Sequence, residues 1–330
     1  MKAKTFVLIV SSFIVGAVYS AGAQQTAKTL PRVGVISSTG TAESPWPLFD
    51  AFRQGLNDLG YVEGKNILVE SRYAEGRLDR MPGLVNELIQ QKVDVIVAVN
   101  NVIIRAAQEA TKTIPIVMIS SVDPVVAGYV ESFARPGRNI TGLAHLGRDL
   151  SAKRVELLKE VLPKMSRVGV LWDGNGPGPA VAFKEYTAAA RAFKIEIRSL
   201  AIRDPNPDFV GALKTAKTAR LDALIVVVNP LTAQHAKEVF ELAAKYRLPS
   251  MTEEGRFVSA GGLISYGANL TDLYRRAAGY VVEILKGAKP ADLPVKLPEK
   301  FQIFINVKTA QQLGLVIPQQ VMFQADKVIQ

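Results

Sequence analysis

The chain has 330 residues, 48% apolar and 21% charged, enough to bury one or two substantial cores. It contains no cysteine, which excludes disulfides, thiol nucleophiles, cysteine metal sites and a lipid anchor on a mature N-terminal cysteine. The net charge of +10 comes from scattered lysines and arginines with no basic run longer than two, so it reads as a solvated surface suited to anionic partners, with no nucleic acid among them.

The N-terminus reads as a secretory leader. Lys2 and Lys4 precede a mostly apolar run from Phe6 to Val18, and Ala21-Gly22-Ala23 offers a small-residue cleavage site, so residues 1–23 form the expected signal peptide. That run is too short to span a bilayer comfortably. No later stretch approaches 18 uninterrupted apolar residues, so the expected mature protein is soluble and periplasmic. Residues 32–38 (RVGVISS) then read as a first strand with a polar tip. Residues 45–60 predict a helix: Leu48, Phe52, Leu56 and Leu59 share one face, and Gly60 suits the position just past the end. Residues 67–73 give a second strand. Residues 78–91 give a helix with Leu78, Met81, Val85, Leu88 and Ile89 on one face. The stretch 93–124 is the clearest unit. Two β-branched apolar runs flank a helical segment, the pattern of a βαβ unit whose strands are buried on both faces. Arg135-Pro136-Gly137-Arg138-Asn139 leads into Ile140-Thr141-Gly142, which reads as a crossover. Residues 151–162 are a helix with Ser151 as its N-cap and Pro163 ending it.

The pattern then restarts. Arg167-Val168-Gly169-Val170-Leu171 echoes Arg32-Val33-Gly34-Val35-Ile36, residues 222–229 echo 94–101, and Leu248-Pro249-Ser250 sits where Ile114-Pro115-Ile116 sat. Three echoes in order at a nearly constant spacing predict two lobes of one α/β topology. The expected fold is therefore α/β, two Rossmann-like lobes with parallel sheets joined by a hinge. The tail supplies a strand at 261–267, a helix at 270–286, a strand at 301–305 and a short helix at 308–313 before Gly314. Such leftovers suit chain crossings between lobes. Residues 30–145 plus about 266–290 are assigned to lobe one, and 146–265 plus about 291–330 to lobe two.

In open parallel sheets ligands bind at the carboxyl ends of the strands, where this chain places small polar residues. The candidate binding residues are Ser37, Ser38, Thr39, Asn100, Asn101, Ser120, Ser121 and Asp123 in lobe one, and Trp172, Asp173, Asn175 and Asn229 in lobe two, with Tyr266 in the returning segment. Hydroxyls and helix N-terminal amides can hold a carboxylate, Asp123 or Asp173 can pair with an ammonium, and Trp46, Trp172 or Tyr266 can cover an apolar body. Pro124 biases Asp123 toward an extended conformation that could aim its carboxylate at a ligand; the alternative is a turn residue. Enzyme readings fare worse. His145 and His235 lack a partner at zinc-ligand spacing, and there is no G-x-S-x-G elbow or Walker A loop. Ser37-Ser38-Thr39-Gly40-Thr41 is no dinucleotide fingerprint. The Asp173 to Gly178 stretch lacks the closing Glu of a calcium loop, and Glu253-Glu254 reads as a solvated loop. No catalytic residue, metal or cofactor is expected.

Several stretches carry a family resemblance: FRQGLNDLGYVEGKNILVESRYAEG (52–76), TIPIVMISSVDPV (113–125), RPGRNITGL (135–143), KRVELLKEVLP (153–163), GGLISYGANL (261–270) and FQIFINVKTAQQLGLVIPQQVMFQADKVI (301–329). Together they span almost the whole mature chain, which resembles the extracytoplasmic solute-binding proteins of ABC transporters, in the family that includes tryptophan/tyrosine-type binding proteins. The resemblance implies a type I periplasmic-binding fold, a hinged monomer without catalysis, a small organic solute held between the lobes, and an ABC permease in the inner membrane as partner. The chain departs from the family at two strand tips. Trp172-Asp173-Gly174 stands where Asn-Pro-type residues are frequent, and Asn229-Pro230 where an Asp-Pro is frequent. The solute is therefore left as amino-acid-like or carboxylate/aromatic. Two rival readings are a secreted α/β enzyme and a sensor that presents its closed lobes to a membrane receptor.

Overall fold

The β-branched runs become the strands they predict. In the computed structural model, which describes residues 30–330 except 47, 147–149, 176 and 204, five parallel strands build the first sheet. The leader expected over residues 1–23 lies outside the described residues. The strands are β1 (Arg32–Ser37), β2 (Leu68–Tyr73), β3 (Val95–Val99), β4 (Ile116–Ser120) and β5 (Ile140–Ala144), in the order β2-β1-β3-β4-β5. Val97 at the centre pairs with Val35 on one side and Val117 on the other, and all three are buried, as expected of strands covered on both faces. Three helices fill the connections: α1 (Leu48–Asp58), α2 (Met81–Gln90) and α3 (Asn101–Ala110). A short 3-10 turn, Leu78–Arg80, precedes α2. Gly60 follows α1 at φ +84°, the left-handed conformation its sequence position demands.

The stretch at Ile140 corrects the sequence reading. It is a fully buried strand and no crossover. Its central Gly142 hid it, and the residue there must be glycine. Its φ is +131°, and a Cβ would lie 2.3 Å from the Met118 carbonyl oxygen on β4.

The second sheet contains β6 (Arg167–Asp173), β7 (Glu196–Ile202), β8 (Ala223–Val226), β9 (Ser250–Thr252) and β10 (Ile264–Ala268), in the order β7-β6-β8-β9-β10. That is the strand order of the first sheet repeated, as the echoes predict. The helices are α4 (Ser151–Val161), α5 (Pro177–Ala192), α6 (Phe209–Thr218), α7 (Pro230–Gln234), α8 (Ala236–Lys245) and α9 (Gly255–Ser259). Equivalent aspartates pin the first strand of each lobe: Asp94 accepts the Arg32 N–H at 2.7 Å, and Asp222 accepts those of Ser166 and Arg167 at 2.8 and 2.9 Å. After β10 come α10 (Leu270–Leu285), β11 (Phe301–Asn306), α11 (Val307–Leu313), α12 (Gln319–Phe323) and β12 (Lys327–Ile329). β11 extends the second sheet antiparallel to β10, so this sheet is not purely parallel. The chain enters it from the other lobe, and no βαβ crossover fixes its direction.

The two lobes exchange helices. α4 follows the last strand of lobe one but packs in the core of lobe two, through Val155, Leu157, Leu158 and Val161. α10 follows β10 of lobe two but packs in the core of lobe one, where Leu273, Ala277 and Val281 are fully buried. The α1–α10 contact is close: a Cβ on Gly55 would meet the Arg275 carbonyl oxygen at 2.4 Å. After α10 the chain still clings to lobe one, with Lys296 bridged to Leu143 beside β5, before it crosses to β11. Among the described residues the chain thus passes between the lobes near residue 269 and at 297–300, and these two crossings touch through Asn269 N–H to Lys300 carbonyl at 3.2 Å. Ser151, expected as the cap of α4, is instead its first helical residue; Leu150 holds the cap position without a side-chain bond.

Candidate functional site

The strand tips of lobe one form one hydrogen-bonded patch. Ser37 ends β1 and Ser38 follows it, and the Ser38 hydroxyl accepts the Asn100 Nδ2–H at 3.1 Å. The Ser37 hydroxyl accepts the Thr39 N–H at 3.3 Å. Asn101 Nδ2 donates to Ser121 Oγ at 2.8 Å, and Asn101 Oδ1 lies 3.1 Å from the Ser120 hydroxyl, which is fully buried. Tyr129 donates its hydroxyl to the Asn101 carbonyl at 3.1 Å. Every member of this patch is neutral, so it offers hydroxyl and amide groups beside the N-terminus of α3, where unpaired N–H groups and the helix dipole favour a negative group.

Asn100 is the strained point. Its φ of +104° with ψ of 162° lies in a region populated almost exclusively by glycine. Four bonds hold it there. Its N–H donates to the Ile119 carbonyl at 3.3 Å, and its carbonyl accepts from Ile104 at 3.0 Å. Its Oδ1 caps α3 by accepting the Ile103 N–H at 3.1 Å, and its Nδ2 reaches Ser38. The side chain thus satisfies two elements at once, which is the local reason an Asn stands at this turn.

Asp123 stands apart from the patch. Its Oδ1 accepts the N–H groups of Val125 and Val126 at 2.8 and 3.1 Å, so this oxygen closes the turn over Pro124.

Lobe two differs in chemistry. Asn229 caps α7 in a reciprocal box with Thr232: Oδ1 accepts the Thr232 N–H at 3.1 Å, and the Thr232 hydroxyl accepts the Asn229 N–H at 3.1 Å. Asp173 Oδ1 accepts the Asn175 N–H at 2.9 Å. Trp172 turns onto α5, stacking on Phe183 at 5.2 Å between ring centres and donating its indole N–H to Ser199 at 2.8 Å. The Tyr266 ring lies 6.0 Å from Phe301, and its carbonyl accepts the Arg154 Nε at 2.7 Å.

Arg154 was not singled out from sequence. Its side chain is completely buried at the base of the β9 and β10 tips. Nη1 donates to the Tyr186 hydroxyl at 3.1 Å and lies 3.6 Å from Glu253 Oε1. The Glu253 carboxylate is 14% exposed, and Tyr186 also donates to it at 3.3 Å. Burial opposes the Arg154 charge, but Tyr186 and Glu253 beside it outweigh that and leave its pKa raised; burial likewise pushes the Tyr186 hydroxyl up. Glu253 and Glu254 are thus no solvated loop, because Glu254 also pairs with Arg256. The signal for Arg154 was present: Ser151, Arg154, Val155, Leu158 and Val161 repeat at helical spacing on the buried stripe of α4.

The lips of the lobes touch beyond these tips. The Arg256 guanidinium of α9 lies 4.5 Å from the ring centre of Trp46, which packs on the core of lobe one. A Cβ on Gly76, after β2, would come 3.0 Å from the Gln234 Oε1 of α7. Among the described residues no group of three or more His, Cys, Asp or Glu could hold a metal ion, and no helix is long and apolar enough to cross a membrane. His235 pairs with Glu238 at 3.1 Å and packs on Phe209.

Known proteins share this architecture. The tyrosine-binding protein of Clostridioides difficile is 28% identical over 80% of this chain and 75% of its own length. The crystal structure of a conserved domain protein from Vibrio cholerae, 27% identical, superposes with a TM-score of 0.81 over 90% of this chain and 99% of that one. An ABC domain from Streptococcus pneumonia in complex with L-Trp, 24% identical, superposes at 0.80 over 91% of this chain and 100% of that one, a likeness of fold. Residues 42–329 match the ABC transporter substrate binding protein family, and with the doubled α/β topology and the polar strand tips this places the chain in that family, as a solute-binding protein of ABC transport with the type I periplasmic binding fold.

Proposed function

We propose that the chain captures an amino-acid-like or aromatic carboxylate between its lobes, works as a monomer in the periplasm, and delivers the solute to an ABC permease in the inner membrane. The observation that carries the solute class is the neutral patch of Ser38, Asn100, Asn101, Ser120 and Ser121 at the N-terminus of α3. Hydroxyl and amide donors beside a positive helix end suit a carboxylate. A tyrosine-binding relative and a fold neighbour holding L-Trp support an aromatic body on that carboxylate. One Asp123 oxygen, Oδ1, is engaged in its own turn.

Thermal-shift titration with L-tyrosine, L-tryptophan and their deaminated carboxylates tests this reading. A binding solute at a hundredfold its Kd stabilises the native state by about 2.7 kcal/mol and is recovered unchanged. Absence of any shift from all four, or chemical turnover of the one that binds, would sink it. Mass spectrometry of solute released from protein purified out of its own host identifies the ligand independently.

A further inference from the structure

The described cation–π pairs are of two kinds. Arg105 on Tyr129, Lys245 on Tyr246 and Lys327 on Phe304 each lie within one lobe. Arg256 is different. Its guanidinium sits 4.7 Å from the ring centre of Phe257 in its own lobe and 4.5 Å from that of Trp46 in the other. Glu254 pairs with it from the same lobe as Phe257. Trp46 has firm backing in lobe one: it packs on that lobe's core, its indole nitrogen is buried, and it lies beside the buried Tyr274 of α10. Each partner is therefore also held by its own lobe, which lowers the entropy cost of the contact.

We propose that Arg256 is a positioning residue for solute capture: stacked on Trp46 across the cleft, it holds the lobes together and so sets affinity without touching the solute. The proposal rests on the reading that solute binds between closing lobes. A contact present only when the lobes are together raises the closed population, and apparent affinity scales with that population. Planarity matters here. A guanidinium stacks on the indole while its edge serves Glu254, whereas an ammonium is a point charge that loses the stack. A cation–π contact of ordinary strength changes the closed population about threefold to thirtyfold.

The chain has no cysteine, so a cross-lobe distance can be measured cleanly. Spin labels on Lys65→Cys in lobe one and Lys217→Cys in lobe two, both exposed positions, report the lobe separation by pulsed electron resonance without any solute. The expected result is a shift of Arg256→Ala toward longer distances, with Arg256→Lys in between and the melting temperatures of both near the parent value. With L-tryptophan or L-tyrosine as probe, dissociation from Arg256→Ala is expected to be about threefold to thirtyfold faster. An Arg256→Ala distance distribution identical to the parent overturns the proposal. A parent protein that binds neither amino acid overturns the solute reading alone, because the distance measurement needs no solute.

Discussion

The two lobes share one strand order but finish their strand tips with opposite chemistry. Lobe one joins Ser38, Asn100, Asn101, Ser120 and Ser121 through neutral hydroxyl and amide bonds, and stores strain at Asn100. Lobe two sets a charge network of Arg154, Tyr186 and Glu253 beneath its tips, with Arg154 wholly removed from water. A duplicated topology thus fixes where a site can form and leaves its chemistry to a few side chains. In lobe one the backbone itself is shaped and the donors are weak and adaptable. In lobe two the groups are stronger, and their positions depend on one buried cation.

The sharpest break in this comparison is Arg154→Leu. It leaves the largely buried Glu253 carboxylate without its cation, and loss of one partner of such a pair costs about 3 kcal/mol or more. Urea unfolding should show that loss. Replacing both residues by methionine should recover most of it, since no uncompensated charge remains. Full destabilisation in the double variant would show that packing, and not charge pairing, is what Arg154 contributes.

In lobe one the corresponding test is Asn100. Asn100→Ala keeps the strained φ but loses the cap and the Ser38 bond, and is expected to cost about 2 kcal/mol. Asn100→Gly loses the same bonds but relieves strain of order 1–3 kcal/mol, so its stability should stay within about 1 kcal/mol of the parent. Equal losses in the two variants, measured by thermal unfolding, would remove strain from the account.

The paired aspartates at the strand starts sharpen the comparison. Asp222 accepts three bonds, from the N–H groups of Ser166 and Arg167 and the Ser166 hydroxyl; Asp94 accepts the Arg32 N–H. Burial raises the Asp222 pKa, but the three donors outweigh it and hold the carboxyl below its usual value. Its folded pKa is thus lower than its unfolded one, which is about 3.9. The stabilisation is therefore complete above that pH and is lost as pH falls through the folded value. Asp222→Asn should cost about 1 kcal/mol at pH 7, and the loss should vanish in strong acid. Asp94→Asn should cost less at pH 7, and the reverse order would break the analogy between the lobes.

The smallest effect is expected at Asp123. Asparagine can accept the same two turn N–H groups, so Asp123→Asn should change stability by about 0.5 kcal/mol or less and leave affinity for L-tyrosine or L-tryptophan unchanged. A tenfold loss of affinity in calorimetric titration would return Asp123 to the solute.

Local chemistry made much of this protein legible. β-branched runs such as Val95–Val99 favour buried strands, Gly60 suits the end of a helix, and three ordered echoes along the chain imply a doubled topology. The polar strand tips were visible for the same reason, since the period of a buried strand exposes where it stops. Other features depended on which surfaces meet. A glycine in the middle of β5 reads as a break until β4 lies against it. No local signal shows that α4 and α10 each pack in the lobe opposite the strand they follow, because an apolar helix face does not specify its partner. Trp172 alternates along β6 in the sequence, yet only the position of Phe183 turns it onto α5. Arg154 shares the helical stripe of Val155, Leu158 and Val161, but it becomes a buried cation only when Tyr186 and Glu253, from two other elements, arrive to pair with it. Propensity and periodicity act over a few residues, whereas burial of a charge is decided by groups that the chain brings together from 32 and more residues away.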